Sequence, residues 1–125
     1  LKYMIPQNSG KIINIGSLYT FLGGQWSPAY AATKPGIAGL AKAMCDELAQ
    51  FNIQVNTIAP GYFATKLTEK TRSDPKRNAE ILAHIPANRW GDLYDLMGAC
   101  VFLASNASDY VNGHILTVDG GFLMR

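Results

Sequence analysis

The sequence predicts an α/β fold with a parallel sheet, and three features of the chain carry this prediction. Residues 11–15 (KIINI) and residues 53–59 (IQVNTIA) are short apolar runs typical of buried strands. A long segment with helical apolar spacing separates them. A strand–helix–strand unit of this kind implies parallel strands and a right-handed crossover. At 125 residues the chain is at most one small domain.

The first half of the chain supplies that unit. Residues 1–5 resemble the tail of a helix and a polar turn follows Pro6, so we expect an N-terminal part to precede this chain. The first strand ends at Gly16 and a loop covers residues 18–26. A helix is predicted over residues 28–50, with Ser27 as N-cap and Pro28 at its first position. Pro35 should kink its first turns. The predicted apolar face consists of Ile37, Leu40, Ala41, Met44 and Leu48.

The second half is more broken. Residues 62–91 are polar and interrupted, and we predict a lid-like insertion there with a short helix over residues 75–84. Asp92 is the expected cap of a helix that reaches residue 104. A last strand is predicted over residues 115–118, closed by the turn Asp119-Gly120-Gly121. The predicted parallel sheet therefore has three strands.

Composition excludes several classes of partner. The net charge is +2 and the basic residues form no block, so nucleic acid is not an expected partner. No apolar run reaches eighteen residues, which predicts no membrane span. Cys45 and Cys100 have no metal-ligand spacing, and we expect no metal site. Buried reduced thiols fit a cytoplasmic protein.

The chemistry is predicted at Tyr30, Lys34 and Ser17, which lies thirteen residues before the tyrosine. Residues i and i+4 of a helix share one face, so Tyr30 and Lys34 should be neighbours. A nearby ammonium favours the ionised form of a phenol, which lets a tyrosine act as acid or base near neutral pH. The helix N-terminus adds to this effect. Ser17 would hold a substrate oxygen, and the three groups could move a proton on or off a carbinol.

A second Tyr-x-x-x-Lys, formed by Tyr62 and Lys66, has the same spacing. Tyr62 follows Pro60-Gly61 in a predicted turn, and Ala49 stands where a serine would be needed. The spacing alone is a weak signal. The helix start before Tyr30 and the serine after the strand favour Tyr30 as the functional residue.

Four segments in register carry a family resemblance. They are residues 10–17 (GKIINIGS), Tyr30-x-x-x-Lys34, residues 56–61 (NTIAPG) and residues 118–121 (VDGG). In order and spacing the chain resembles the classical short-chain dehydrogenase/reductases over essentially all 125 residues. The resemblance implies the C-terminal half of a Rossmann-like doubly wound parallel sheet. Residues 1–125 would then be the C-terminal part of a single NAD(P)-binding domain.

The resemblance also implies roles for individual residues. Tyr30 would be the acid/base, and Lys34 would hold the nicotinamide ribose as well as assist Tyr30. Ser17 would polarise the substrate oxygen. Pro60 and Gly61 would bring the backbone close to the nicotinamide, and Thr65 would hydrogen-bond the cofactor. Candidate substrate residues are Gln25, Trp26 and Arg89, with Arg89 pairing with a carboxylate.

The implied cofactor is NAD, with NADP left open. No glycine-rich phosphate loop follows a strand in these residues, so the chain would hold the chemistry end of the cofactor and not its pyrophosphate end. Within the family, residues 77–91 and 107–114 are similar to dehydrogenases of the 2-deoxy-D-gluconate and 2-dehydro-3-deoxy-D-gluconate type. The implied partner is thus a small sugar acid, and relatives commonly form homotetramers.

Two alternatives stay open. One is a different short-chain reductase, such as a 3-oxoacyl-carrier-protein reductase. That substrate calls for a basic docking patch, which the sequence does not show. The other is a non-catalytic fragment that keeps the Ser/Tyr/Lys residues but binds no dinucleotide. A glycine-rich loop upstream of Leu1 in a longer parent chain would favour the enzyme.

Overall fold

The computed structural model describes residues 1–24 and 27–125. Three strands form one parallel sheet in the described part of the chain: β1 (Gly10–Ile15), β2 (Ile53–Pro60) and β3 (Ile115–Val118), in the order β1-β2-β3. Gly10 lies opposite Ile53 at one end of the first pair, and Pro60 lies opposite Val118 at the end of the second. The predicted α/β class and the parallel sheet are confirmed, with strand bounds within one residue of those expected.

The central strand β2 is buried along nearly its whole length, from Ile53 to Ala59. In a strand that is covered on both faces, apolar residues form a continuous run and do not alternate with exposed polar ones. Among the polar members of β2, Asn56 is hydrogen-bonded into the fold, whereas Oγ1 of Thr57 has no partner among the described residues. Asn56 donates its Nδ2 to the carbonyl of Val111 at 2.7 Å and accepts the N–H of His114 at 2.9 Å. The segment that leads into β3 is therefore fixed to the middle of β2.

One long helix covers this sheet. Helix α2 (Pro28–Leu48) packs against β2, with Ala41 and Leu48 in the core beside Ile53 and Val55. The helix begins where expected and ends two residues early, because residues 49–51 tighten into a 3-10 turn. It continues through Pro35 without interruption.

Two local predictions about α2 are corrected. Ser27 occupies the N-cap position, but its side chain makes no capping hydrogen bond. Leu40, assigned to the apolar face, is 55% exposed, whereas Ala38 is buried. The small residues Ala38 and Ala41 let the helix lie close to the sheet, so the buried stripe is narrower than the apolar spacing suggested.

Shorter helices follow the strands. Helix α1 occupies Met4–Gln7 and ends at Asn8, whose backbone is in the left-handed region. The helix predicted at residues 1–5 therefore begins and ends later in the chain than expected. After β2 come α3 (Glu69–Ser73), which was not predicted, and α4 (Pro75–His84), which has the predicted bounds. Asp74 caps α4 by accepting the N–H groups of Lys76 and Arg77.

The ends of the segment that contains α3 and α4 are tied together. Gly91 donates its N–H to the carbonyl of Tyr62 at 2.8 Å, and Ala64 donates to the carbonyl of Gly91 at 2.9 Å. Asp92 then caps a 3-10 helix over Leu93–Leu96, and α5 occupies Met97–Ala104. The predicted helix over residues 92–104 thus begins as a 3-10 turn. A lid role for residues 62–91 stays a prediction.

None of the helices in the described ranges combines the length and the apolar character that crossing a membrane would need.

The two hydrogen bonds of the Asn56 side chain provide a test of how β2 holds the fold. Asn56 is 1% exposed, and Asn56→Ala removes its bonds to the carbonyl of the half-buried Val111 and to the N–H of the exposed His114. Each such bond is worth about 0.5–1.5 kcal/mol. We expect the free energy of unfolding, measured by urea denaturation, to fall by about 1–3 kcal/mol. The exposed Asn106 is the matched control, and Asn106→Ala should change it by less than about 0.5 kcal/mol. Equal effects of the two substitutions would contradict the account.

Candidate active site

The carboxyl ends of β1 and β2 lie at the same edge of the sheet, where ligands bind in folds of this kind. Gly16 continues the β1 ladder by donating its N–H to the carbonyl of Ile58 at 2.7 Å. A Cβ at Gly16 would lie 2.8 Å from Oγ1 of Thr20, so this position has no room for a side chain. The glycine lets the chain turn at the strand end and leaves Ser17 at the edge.

Ser17 is fixed by the short 3-10 helix that follows it. Its Oγ accepts the N–H of Tyr19 at 3.3 Å, and its own N–H donates to Oγ1 of Thr20 at 3.1 Å. Oγ1 of Thr20 also donates to the carbonyl of Lys34 at 3.3 Å. Because the Ser17 hydroxyl is an acceptor in its bond, its own hydrogen can be donated to a substrate oxygen. Thr20 joins the serine loop to the tyrosine helix.

Tyr30 and Lys34 are neighbours on the first turns of α2. Nζ of Lys34 lies 5.4 Å from the centroid of the Tyr30 ring, within the range of a cation–π contact. The same Nζ donates to the carbonyl of Ile15 at 2.9 Å, which ties the helix to the end of β1. The Tyr19 ring meets the Tyr30 ring edge-on at a centroid distance of 5.4 Å. Tyr30 is thus held between a cation and an aromatic ring.

Ser17 and Tyr30 open into one cavity of about 370 Å³. Gly61 also lines it, so the cavity brings together residues from the ends of β1, β2 and the start of α2. Tyr30 is 45% exposed and can be reached from solvent. The described lining also includes residues that the sequence reasoning did not single out for this role, namely Leu18, Tyr19, Ser27, Tyr62, Leu67 and Thr68.

The predicted cofactor residues lie near this edge. Pro60 ends β2, and Gly61 donates its N–H to the carbonyl of Val118 at 2.9 Å. A Cβ at Gly61 would lie 2.7 Å from Cα of Asp119, so the backbone just after β3 requires glycine here. The backbone of Thr65 bonds to Oγ1 of Thr68, and it is Thr68 that lines the cavity. Cofactor contacts of these residues stay predictions.

Arg89 lies in a different place. It makes a two-pronged ion pair with Asp95, with N···O distances of 2.7 and 3.0 Å, and lines a separate cavity of about 200 Å³. This pairing lowers the pKa of Asp95 to about 2. Binding of a substrate carboxylate by Arg89 stays a prediction. Gln25 and Trp26, the other two candidate substrate residues, lie outside the described residues.

The second tyrosine at Tyr-x-x-x-Lys spacing, Tyr62, is in a different environment from Tyr30. Its ring packs edge-on against Trp90 and at a tilt against Phe122, with centroid distances of 5.6 and 5.1 Å. Burial, with a smaller contribution from Tyr19, raises the pKa of Tyr62 above its usual range. A higher pKa makes a phenol a poorer acid or base near neutral pH. Proton transfer by Tyr30 stays a prediction.

The chemistry at the edge suits the nicotinamide ribose end of a dinucleotide. An ammonium has three N–H donors, and in the described part of the chain Nζ of Lys34 uses one of them on Ile15. Donors remain for a ribose diol next to the Tyr30 hydroxyl. The described residues contain no group of three or more His, Cys, Asp or Glu side chains that could hold a metal ion.

The parallel α/β sheet and the tyrosine–lysine helix at its carboxyl edge match the Rossmann-like arrangement that the resemblance implies. A family profile described as Enoyl-(Acyl carrier protein) reductase matches residues 1–123. The chain belongs to the short-chain dehydrogenase/reductase family, as the resemblance predicted.

Individual relatives are similar over nearly the whole chain. "Uncharacterized oxidoreductase YgcW" of Escherichia coli (strain K12) is 70% identical over 99% of this chain and 48% of its own. The 2-dehydro-3-deoxy-D-gluconate 5-dehydrogenase of Bacillus subtilis (strain 168) is 56% identical over 99% and 49%. A solved gluconate 5-dehydrogenase of Burkholderia cenocepacia J2315, in complex with NADP and tartrate, has a TM-score of 0.96 at 44% identity, over 99% and 49%. The chain spans about half the length of these relatives.

Thr20 provides a test of how the serine is positioned. Thr20→Val keeps the side-chain shape but loses the bonds to Ser17 and Lys34, each worth about 0.5–1.5 kcal/mol. In the full-length protein, we expect the turnover of Thr20→Val to be about tenfold below that of the wild type. Thr20→Ser keeps the hydroxyl and should restore most of the rate.

The measurement is steady-state turnover, with thermal unfolding of both variants as the control for folding. If the valine and serine variants turn over equally fast, Thr20 does not position Ser17.

Proposed function

We propose that the protein is a dehydrogenase that moves a hydride between NAD(H) and a sugar acid of the 2-deoxy-D-gluconate or 2-dehydro-3-deoxy-D-gluconate type. The observation that carries this proposal is the shared cavity of Ser17 and Tyr30, with the Lys34 ammonium 5.4 Å from the tyrosine ring. Proton transfer at a carbinol oxygen needs one group that holds the oxygen and one that takes the proton. The cavity contains both.

In the oxidation direction the substrate alcohol would enter beside Ser17 and Tyr30. Ser17 donates its hydroxyl hydrogen to the carbinol oxygen and fixes its position. Tyr30 accepts the alcohol proton as the base, with the Lys34 ammonium beside its ring. NAD, when bound, accepts the hydride. In the reverse direction Tyr30 donates the proton to the carbonyl oxygen of the ketone as it becomes the alcohol.

The cofactor would be held at its nicotinamide end by Tyr30, Lys34 and the backbone of Pro60-Gly61, with Thr65 as a further hydrogen-bonding residue. Support comes from the spare N–H donors of Lys34 and from the position of Gly61 in the cavity wall. We propose NAD as the cofactor. NADP is the competing candidate, because the Burkholderia relative is described as a complex with NADP. Comparing the KM values for the two dinucleotides decides between them.

The choice of a sugar acid rests on the relatives. The Bacillus relative is described as acting on 2-dehydro-3-deoxy-D-gluconate, and the Burkholderia structure contains tartrate, a small hydroxy acid. A second candidate is an acyl-carrier substrate, because the matching family profile is described as an Enoyl-(Acyl carrier protein) reductase. Turnover of 2-deoxy-D-gluconate against a 3-oxoacyl thioester separates the two.

We further propose that the protein forms a homotetramer through α2 and β3. β3 is an edge strand of the described sheet, so its open side can meet a partner. The oligomeric state in solution, measured by light scattering, tests this proposal.

Replacing the tyrosine hydroxyl tests the proposed function most simply. Tyr30→Phe removes the proton-transfer group and keeps the ring between Tyr19 and Lys34. We expect kcat with 2-deoxy-D-gluconate and NAD to fall about 10²–10⁴-fold, while NADH still binds. The measurements are NADH formation by absorbance and NADH binding by fluorescence titration.

Tyr62→Phe is the matched control, because it removes the same hydroxyl from the other Tyr-x-x-x-Lys tyrosine. It should lower kcat far less than Tyr30→Phe. A Tyr30→Phe enzyme with wild-type kcat would show that another group transfers the proton.

A further inference from the structure

A second cavity of about 500 Å³ lies directly beside the candidate active site. The two cavities share Leu18, Tyr19 and Tyr62 as walls, so a ligand of sufficient length at Ser17 and Tyr30 could reach into the second cavity. Phe122 and, from the first turn of α4, Arg77 also line the second cavity. The segment after β2 thus forms one wall of an extended site.

Charge is unevenly distributed over this pair of cavities. The described residues that line the first cavity are all uncharged. Among the described residues that line the second, Arg77 alone carries a charge. Nζ of Lys34 is directed at the carbonyl of Ile15 and is not part of either lining. An anionic group on a ligand that spans both cavities would therefore meet the Arg77 guanidinium.

We propose that Arg77 binds the carboxylate of the acid substrate while the reacting alcohol lies at Ser17 and Tyr30. This inference rests on the proposed function, since it names the residue that makes an acid the preferred substrate. A guanidinium suits the task, because its planar N–H groups match the two oxygens of a carboxylate. A carboxylate bound there would orient the carbon chain along the shared wall toward Tyr30.

The contacts of Arg77 leave it able to take such a ligand. Its NH1 donates to Oε2 of Glu80 at 3.1 Å, in an exposed pair one helical turn apart. Exposed pairs of this kind are weak, so a substrate carboxylate can compete for the guanidinium. Its backbone is held in place, since the N–H of Arg77 donates to the Asp74 cap at 3.2 Å.

Arg89 differs in each of these respects. Both of its terminal nitrogens bond to the carboxylate of Asp95, and NH1 also donates to the carbonyl of Trp90 at 3.1 Å. It lines a cavity that shares only Tyr62 with the pair described above. A substrate carboxylate would have to displace a two-pronged partner there.

The titration of Tyr62 agrees with the position of Arg77. Burial and Tyr19 raise the pKa of Tyr62, and the positive charge of Arg77 opposes that rise. Arg77 therefore acts electrostatically on a residue that lines both cavities.

The test compares an acid with its neutral counterpart. The full-length protein is assayed with two compounds. One is 2-deoxy-D-gluconate, and the other is its analogue with a primary amide in place of the carboxylate. In Arg77→Gln we expect the ratio of kcat/KM for the acid over the amide to fall at least about tenfold, mainly through KM for the acid. Arg77→Lys keeps the charge but loses the planar guanidinium. Its acid-over-amide ratio of kcat/KM should lie between those of the wild type and Arg77→Gln.

Two further variants make the result specific. Glu80→Gln removes the partner of Arg77 without removing the cation, so it should not raise KM for the acid. If Glu80→Gln lowers the ratio as much as Arg77→Gln does, the lost ion pair explains the effect and the proposal is overturned. It is equally overturned if Arg89→Gln, and not Arg77→Gln, lowers the ratio.

The outcome also separates this inference from the proposed function. A wild-type enzyme that oxidises neither compound overturns the proposed function and the inference together. A wild-type enzyme that oxidises the acid, combined with an unchanged ratio in Arg77→Gln, overturns only the inference. Thermal unfolding of each variant confirms that the substitution at these exposed positions has left the fold intact.

Discussion

Strand β2 is hydrogen-bonded in parallel to β1 on one side and to β3 on the other, and the position of the candidate site depends on this pairing. Parallel strands bring their carboxyl ends to one edge. Ser17 after β1 and Gly61 after β2 therefore line one cavity although they are far apart in the sequence. The buried side chain of Asn56 on β2 fixes the segment before β3 through its two hydrogen bonds.

The tyrosine helix is joined to this edge by two bonds of different kinds. The Lys34 ammonium donates to the end of β1, and Thr20 connects the loop of Ser17 to the Lys34 carbonyl. Lys34 therefore has a structural role. The same residue that holds α2 against the strand places a positive charge beside Tyr30. Strand end, loop and helix act as one unit, which is what a proton-transfer site needs for fixed geometry.

Much of this could be predicted from the sequence, because period, caps and strand-end residues are local signals. The strands, α4 and the pairing of Tyr30 with Lys34 follow from such signals. The residues that line the cavity could not be predicted in this way. Tyr19 lies in a 3-10 helix and Thr68 in a turn, and tertiary contacts set the path of both segments. Leu40 was assigned to the wrong face, since Ala38 and Ala41 are buried on this stretch of α2 while Leu40 is exposed. The location of Arg77 beside the cavity depends on how the segment after β2 folds back, which no local pattern encodes.

The central claim is that Ser17 and Tyr30 act together on one substrate oxygen, and a crystal structure of the protein with NAD and 2-deoxy-D-gluconate tests it most directly. The account predicts that one carbinol oxygen lies within about 2.6–3.2 Å of both Oγ of Ser17 and the Tyr30 hydroxyl. A sugar acid bound with its hydroxyls against Tyr62 or Arg89, and none within hydrogen-bonding reach of Tyr30, would contradict it.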